Sequence, residues 1–279
     1  MPHHPVIVIT GATNGLGRIA ALDLARRGAR LGVVARSREK ADALLAEVDA
    51  DVFLADLSSV SDVRRVGAEV DAHYDRIDVL VNNAGLHAFS QRVTADGFAE
   101  MTAVNYLAPW LLTSVLRDKL VASGPARVVT VASEAARRSG GLSPATDLAR
   151  TDPFTRRESS ALYGRTKLMD IMFSQELARR LAGTDVTAVC CDPGFNTSGL
   201  GRELPFAGVL ENVLNGLRIG DPRRGAGIIT RLATDPALTN GGYFSVRDAK
   251  PLACPEPGRS ASVQRELWDA TSALLAQVP

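Results

Sequence analysis

The chain has 279 residues, 46% hydrophobic and 23% charged, a globular balance that excludes general disorder. Its 32 Lys plus Arg against 31 Asp plus Glu leave a formal net charge of +1, without the basic excess of a general nucleic-acid binder. Three cysteines, two of them adjacent at Cys190-Cys191, cannot close a disulfide framework, and four histidines show no zinc-site spacing. No run reaches the roughly 18 apolar residues of a membrane span. Met1-Pro2-His3-His4-Pro5 enters a strand-like run at once, leaving no room for a signal peptide. The expectation is a soluble, cytoplasmic protein in a reducing compartment.

Apolar runs then alternate with helix-period segments almost from end to end. Val6 to Thr10 reads as a first strand, followed by glycines and a helix from Leu16 through Arg27. Ala29 to Ala35 reads as a second strand, Glu39 to Val48 as a helix, and Asp51 to Ala55 as a third strand. A helix from Val60 to about Tyr74 leads to strands at Ile77 to Val81, Arg127 to Ala132 and Val186 to Cys191. A seventh strand is expected at Tyr243 to Val246, after the Asn240-Gly241-Gly242 turn. Continuous apolar runs suit a parallel sheet buried on both faces, and the alternation implies right-handed βαβ units. The reading is one α/β domain, 1–279, doubly wound, with about seven parallel strands and helices on both faces. Two stretches break the rhythm. Ser139 to Ser160 is polar and reads as a surface excursion before a helix starting near Ala161. Phe195 to Arg224 mixes glycines with apolar residues after a strand end, where α/β folds place substrate-covering loops.

Chemistry gathers at the strand ends. Thr10-Gly11-Ala12-Thr13-Asn14-Gly15-Leu16-Gly17 joins strand one to a helix. Its glycines permit a tight turn and close approach of a pyrophosphate to the helix N-terminus. The G-x-x-x-G-x-G spacing is neither the G-x-G-x-x-G fingerprint nor a P-loop, and alone it could be a structural turn. Strand two ends in Ala35-Arg36-Ser37-Arg38, where an NAD-preferring fold usually has a carboxylate for the ribose 2′-hydroxyl. Arg36 and Arg38, with Lys40 nearby, suit a 2′-phosphate instead; the bland reading is a solvated basic start to a helix. Asp56-Leu57 is placed for an adenine contact, and Asn82-Asn83-Ala84-Gly85 for close passage of a cofactor. Ser133 ends strand five. Tyr163 and Lys167, at i and i+4, share one helix face, so the ammonium can stabilise a phenolate and lower the tyrosine pKa. Only four lysines occur in this arginine-rich chain, which makes Lys167 a choice for a compact charge.

The set Thr10-Gly11, Gly15, Gly17, Asn82-Asn83-Ala84-Gly85, Asn105, Ser133, Tyr163, Lys167 and Pro193-Gly194 resembles the short-chain dehydrogenase/reductase family over essentially the whole chain. Thr94-Ala95-Asp96-Gly97-Phe98, Val104-Asn105-Tyr106-Leu107, the run Phe173 to Leu181 and Trp268 are similar to its retinol dehydrogenase-like branch. The resemblance implies a Rossmann-type fold and a nicotinamide cofactor, NADP by the arginines. It implies that Ser133 binds the substrate oxygen, Tyr163 passes it a proton, and Lys167 holds the ribose and tunes the tyrosine. Asn105 would position a water, Pro193-Gly194 would lie against the nicotinamide, and Ser198 would stand near the cofactor. The expected cofactor set is Gly11, Thr13, Asn14, Gly15, Leu16, Gly17, Arg36, Arg38, Asp56, Leu57, Asn83, Ala84, Gly85, Tyr163, Lys167, Pro193, Gly194 and Ser198. Expected partners are a lipophilic carbonyl or alcohol, with no nucleic acid and no membrane span; a homo-oligomer stays open. A non-catalytic NADP(H) sensor, and an epimerase or dehydratase, are the alternatives. Ala132 departs from the serine common before Ser133. His87 stands where the branch usually has an apolar residue, and reads as a surface loop histidine rather than a substrate contact.

Overall fold

A computed structural model describes residues 4–194 and 221–278. Its strands are β1 (Val6–Thr10), β2 (Arg30–Ala35), β3 (Asp51–Leu54), β4 (Val79–Asn82), β5 (Ala126–Val131), β6 (Val186–Asp192), β7 (Tyr243–Ser245) and β8 (Pro251–Leu252). They form one sheet in the order β3-β2-β1-β4-β5-β6-β7-β8. The first seven pair in parallel, and β8 adds a short antiparallel edge to β7. Alternate residues of each strand serve opposite cores, which is why the strands read as unbroken apolar runs. Val6 and Val8 face one core and Ile7 and Ile9 the other; Val128 and Val129 divide in the same way.

The helices are α1 (Gly15–Arg26), α2 (Arg38–Leu45), α3 (Val60–His73), α4 (Glu100–Thr102), α5 (Ala108–Ala122), α6 (Pro144–Ala149), α7 (Arg156–Arg180), α8 (Pro222–Thr234) and α9 (Ala261–Leu275). α1 and α8 cover one face of the sheet, while α3, α5 and α7 cover the other. α9 docks on the latter layer. Its Trp268 lies 5.2 Å from Trp110 of α5, stacks on Phe173 of α7 at 5.8 Å, and carries the Arg180 guanidinium 4.7 Å above its ring. Side-chain caps start the early helices: Asn14, Ser37 and Ser59 each accept a backbone N–H of the first turn.

Some boundaries differ from expectation. α7 begins at Arg156, not near Ala161, because Thr155 and Glu158 form a reciprocal capping box. The polar excursion is partly ordered: α6 lies within it, after a 3-10 turn at Glu134–Arg138. The expected covering loop lies outside the described residues from 195 to 220, and its last residues are helical, since Asp221 caps α8. Among the described residues no helix is long and apolar enough to cross a membrane.

β1 and β4 lie side by side, yet their chains depart toward opposite halves of the sheet. Their carboxyl ends therefore flank a crevice, the place where open α/β sheets bind ligands. Thr10 ties the two ends together. Its Oγ1 accepts the backbone N–H groups of Asn83 at 3.1 Å and Ala84 at 3.0 Å. Thr10→Val keeps the shape but leaves both amides without that acceptor, and should lower unfolding free energy by about 1–3 kcal/mol. Urea denaturation measures it; an unchanged midpoint would show the tie to be dispensable.

Candidate active site

The glycine-rich turn and the β4 end interlock closely. Gly11 and Gly15 adopt left-handed backbone, with φ of 69° and 56°. A Cβ on Gly17 would lie 2.3 Å from Asn83 Nδ2, so only glycine lets α1 approach that side chain. Asn83 Nδ2 in turn donates to the Thr10 carbonyl at 2.9 Å and to that of Gly11 at 3.3 Å. Asn82 turns away and donates to Thr113 Oγ1. Thr13 is half-buried in the turn, and Leu16 packs against the core beneath it.

At the β2 end Ala35 is buried, while Arg36 and Arg38 are exposed. Arg38 lies 3.9 Å from Asp42; Arg36 makes no ion pair among the described residues. Asp56 and Leu57 follow β3, but both have structural duties. Asp56 accepts the Ser58 N–H, and Leu57 packs on the core.

Ser133 and Tyr163 meet across the crevice. Ser133 caps the 3-10 turn by accepting the Ala135 N–H at 3.1 Å, and its side chain stands near enough to Tyr163 to act on the phenol. Their meeting depends on Gly164, which sequence reasoning passed over: a Cβ there would lie 2.3 Å from the Ala135 carbonyl oxygen. The bare backbone lets α7 press against the turn that carries the serine. Lys167 is buried one turn below Tyr163, where Nζ donates to the Val131 carbonyl at 2.9 Å and to Asp170 Oδ2 at 2.8 Å.

Asn105 lies in a π-helical turn, Ala103–Leu107, between α4 and α5. Its Oδ1 accepts the Leu86 N–H, and Nδ2 donates to the Leu86 carbonyl and to Thr166 Oγ1. Both amide protons are thus spent clamping the β4 loop to α7. The second Oδ1 lone pair is the hydrogen-bonding capacity that the side chain has left. Gly85 leaves space beside this group: its Cβ would stand 3.4 Å from Asn105 Oδ1 and 3.6 Å from Lys167 Nζ.

His87 is not the surface histidine expected. Its ring stacks on Tyr163, centroids 4.7 Å apart and 20° from parallel. Ser159 Oγ donates to the Ala88 carbonyl, so the 2.7 Å bond to His87 Nε2 has the imidazole N–H as donor. Asp192 was also missed. This buried carboxylate accepts the Glu134 N–H at 3.0 Å and that of Gly194, tying the serine turn to Pro193-Gly194. Ser198 lies outside the described residues.

The charges decide the tyrosine's behaviour. Burial pushes the Tyr163 phenol above its ordinary pKa; Lys167 and Ser133 pull it down, while Asp170 and Asp192 push it up. The net direction is upward. Proximity of the ammonium does not bring the phenol toward neutrality here, because burial and Asp170 oppose it. Burial would depress Lys167, but Asp170 and Tyr163 hold it above its ordinary value.

Comparison with known proteins now decides the family. Residues 5–145 match the family model described as short chain dehydrogenase. The chain belongs to that family. It is 32% identical over 295 residues to retinol dehydrogenase 14 of Mus musculus, covering 98% of this chain and 86% of the relative. It is 35% identical over 275 residues to a protein of Streptomyces sp. (strain C5) provisionally named daunorubicin C-13 ketoreductase DnrU, covering 96% and 91%. The Pseudomonas aeruginosa RhlG/NADP active-site complex superposes with a TM-score of 0.67 at 26% identity, covering 86% of this chain and 94% of that one. The protein is therefore a short-chain oxidoreductase of the retinol dehydrogenase-like branch, acting at CH–OH/C=O.

A nicotinamide dinucleotide fits the residues present. The left-handed glycines and the α1 amides make an anion-binding turn, and the space at Gly85 opens beside Lys167. Gly164→Ala should displace the serine turn while the sheet stays folded. A misplacement on the order of 1 Å costs roughly 10²-fold in kcat. Steady-state turnover with thermal melting checks this; full activity would show that the turn can yield.

Proposed function

We propose that this short-chain dehydrogenase is an NADP(H)-dependent reductase of bulky, lipophilic ketones or aldehydes. The observation that carries the reaction type is the approach of Ser133 to Tyr163, with the Lys167 ammonium one turn away. Preference for NADP rests on the β2 end, where Ala35 offers no carboxylate and the exposed Arg36 and Arg38 offer guanidinium donors to a 2′-phosphate. The lipophilic substrate class is supported by the apolar residues around Tyr163: Leu86, Ala88, Met101, Phe154 and Leu162.

In this reading the glycine turn, Asn83, Ala84, Gly85, Lys167 and the Pro193-Gly194 turn hold the cofactor, whose chemistry when bound is hydride exchange with the substrate carbon. The chain's own residues handle orientation and the proton. Ser133 donates to the substrate oxygen and fixes it beside the Tyr163 hydroxyl. Tyr163, held protonated, donates its proton to the oxygen as negative charge develops there. The Lys167 ammonium stabilises the phenolate left behind, and Asn105 keeps α7 in register with the β4 loop. The apolar wall and the stacked His87 keep water from the tyrosine.

NADPH consumption against aldehydes and ketones of graded size tests the proposal; turnover should rise with apolar bulk, and a wholly inactive panel would sink it. Tyr163→Phe should lose about 10²-fold or more in kcat while binding NADPH as wild type does, measured by turnover and cofactor fluorescence titration. Replacing Arg36 and Arg38 together by alanine removes charge-assisted bonds of about 1.5–3 kcal/mol each, so NADPH should bind at least about 10-fold more weakly. NADH binding should hardly change. Equal use of NADH and NADPH by the wild type would remove the arginines from the phosphate site.

A further inference from the structure

The Lys167 ammonium is not free to act on Tyr163 alone. It sits between the Val131 carbonyl and Asp170 Oδ2, at 2.9 and 2.8 Å, with both side chains almost wholly buried. Two of its three N–H donors are committed there, which leaves one for the ribose or the tyrosine. The other Asp170 oxygen, Oδ1, is buried with no hydrogen-bond partner among the described residues. A carboxylate that serves only packing would not keep an unsatisfied oxygen in an apolar helix face. We propose that Asp170 is a positioning residue that fixes the Lys167 ammonium and offsets part of its charge, so that Tyr163 works as a proton donor and the site is set for carbonyl reduction.

The argument is one of net buried charge, and it rests on the oxidoreductase reading of Ser133, Tyr163 and Lys167. With Asp170 ionised, Asp⁻ and Lys⁺ form a neutral pair, and ionising Tyr163 would leave one uncompensated negative charge out of water. Without that carboxylate, phenolate and ammonium would themselves be the neutral pair, and the proton would leave readily. The groups facing Asp170 are few. Tyr163 and Lys167 stand on its own helix, Tyr106 on the π turn and Cys190 on β6; Cys191 belongs to the opposite core, and Asp192 acts on Tyr163. Burial holds Tyr106 and the Cys190 thiol neutral, Lys167 is the cation that Asp170 contacts, and Asp192 adds to the negative side at Tyr163, whose ring also carries the stacked His87 imidazole. Burial raises Asp170 to about 6, so it is the required carboxylate at neutral pH. Reduction needs the phenol and alcohol oxidation needs the phenolate. The arrangement therefore favours reduction through the neutral range and confines oxidation to alkaline pH.

Spectrophotometric titration of tyrosinate in the protein without cofactor or substrate tests this, and its readout does not depend on turnover. All four tyrosines are pushed up, and the step that vanishes in Tyr163→Phe is the one that belongs to Tyr163. In the wild type that step should lie above pH 10. In Asp170→Asn it should fall by about one unit or more, and the acid limb of alcohol oxidation should move with it. Asp170→Ser, smaller and equally uncharged, gives the same shift if the asparagine variant does not fold. A wild-type Tyr163 step below pH 10, or an unmoved step in a folded uncharged variant, overturns the proposal. Loss of turnover with the titration shift intact would instead count against the oxidoreductase reading.

Discussion

Strands that stop in the middle of a parallel sheet leave backbone N–H and C=O groups where water does not reach, and each must find a partner. In this protein the polar residues of the crevice are those partners. Thr10 accepts the amides of Asn83 and Ala84, Asn105 holds both polar groups of Leu86, and Asp192 accepts the Glu134 N–H. Lys167 donates to the last carbonyl of β5. Chemistry and architecture therefore share atoms. A side chain that satisfies a strand end is also held rigidly at the mouth of the crevice, which is the preorganisation a transfer reaction requires.

Much of this was legible in the residues. Continuous apolar runs gave the strands, since both faces of the sheet are covered, and the glycine turn lay where β1 meets α1. Tyr163 and Lys167 at helical spacing could be placed on one face before any coordinates. The failures have physical causes. β8 is two residues long and begins with proline, so it carries no periodicity, and its existence follows from pairing with β7 alone. The early start of α7 had a signal, Thr155 with Glu158 three residues on, but it was submerged in a polar stretch.

Asp170 and His87 were illegible for another reason. An acid three residues after a lysine reads as a solvated helical pair, and only burial by β6 and the π turn turns it into an electrostatic control. His87 sits in a loop, and its stacking on Tyr163 depends on how that loop folds back over α7. Gly164 is similar: a glycine inside a helix looks like a weak point until the Ala135 carbonyl is seen where a Cβ would stand. Spacing along one element shows what can share a face. It does not show what the neighbouring element brings to it.

The packing of α9 has an optical consequence. Both tryptophans of the chain, Trp110 and Trp268, lie together at the seam where α9 meets α5 and α7, beside Phe173 and under Arg180. At 5.2 Å the two indoles share one environment. Intrinsic emission from this protein is thus a report on whether its last helix is seated. It is a poor witness to events at the strand ends.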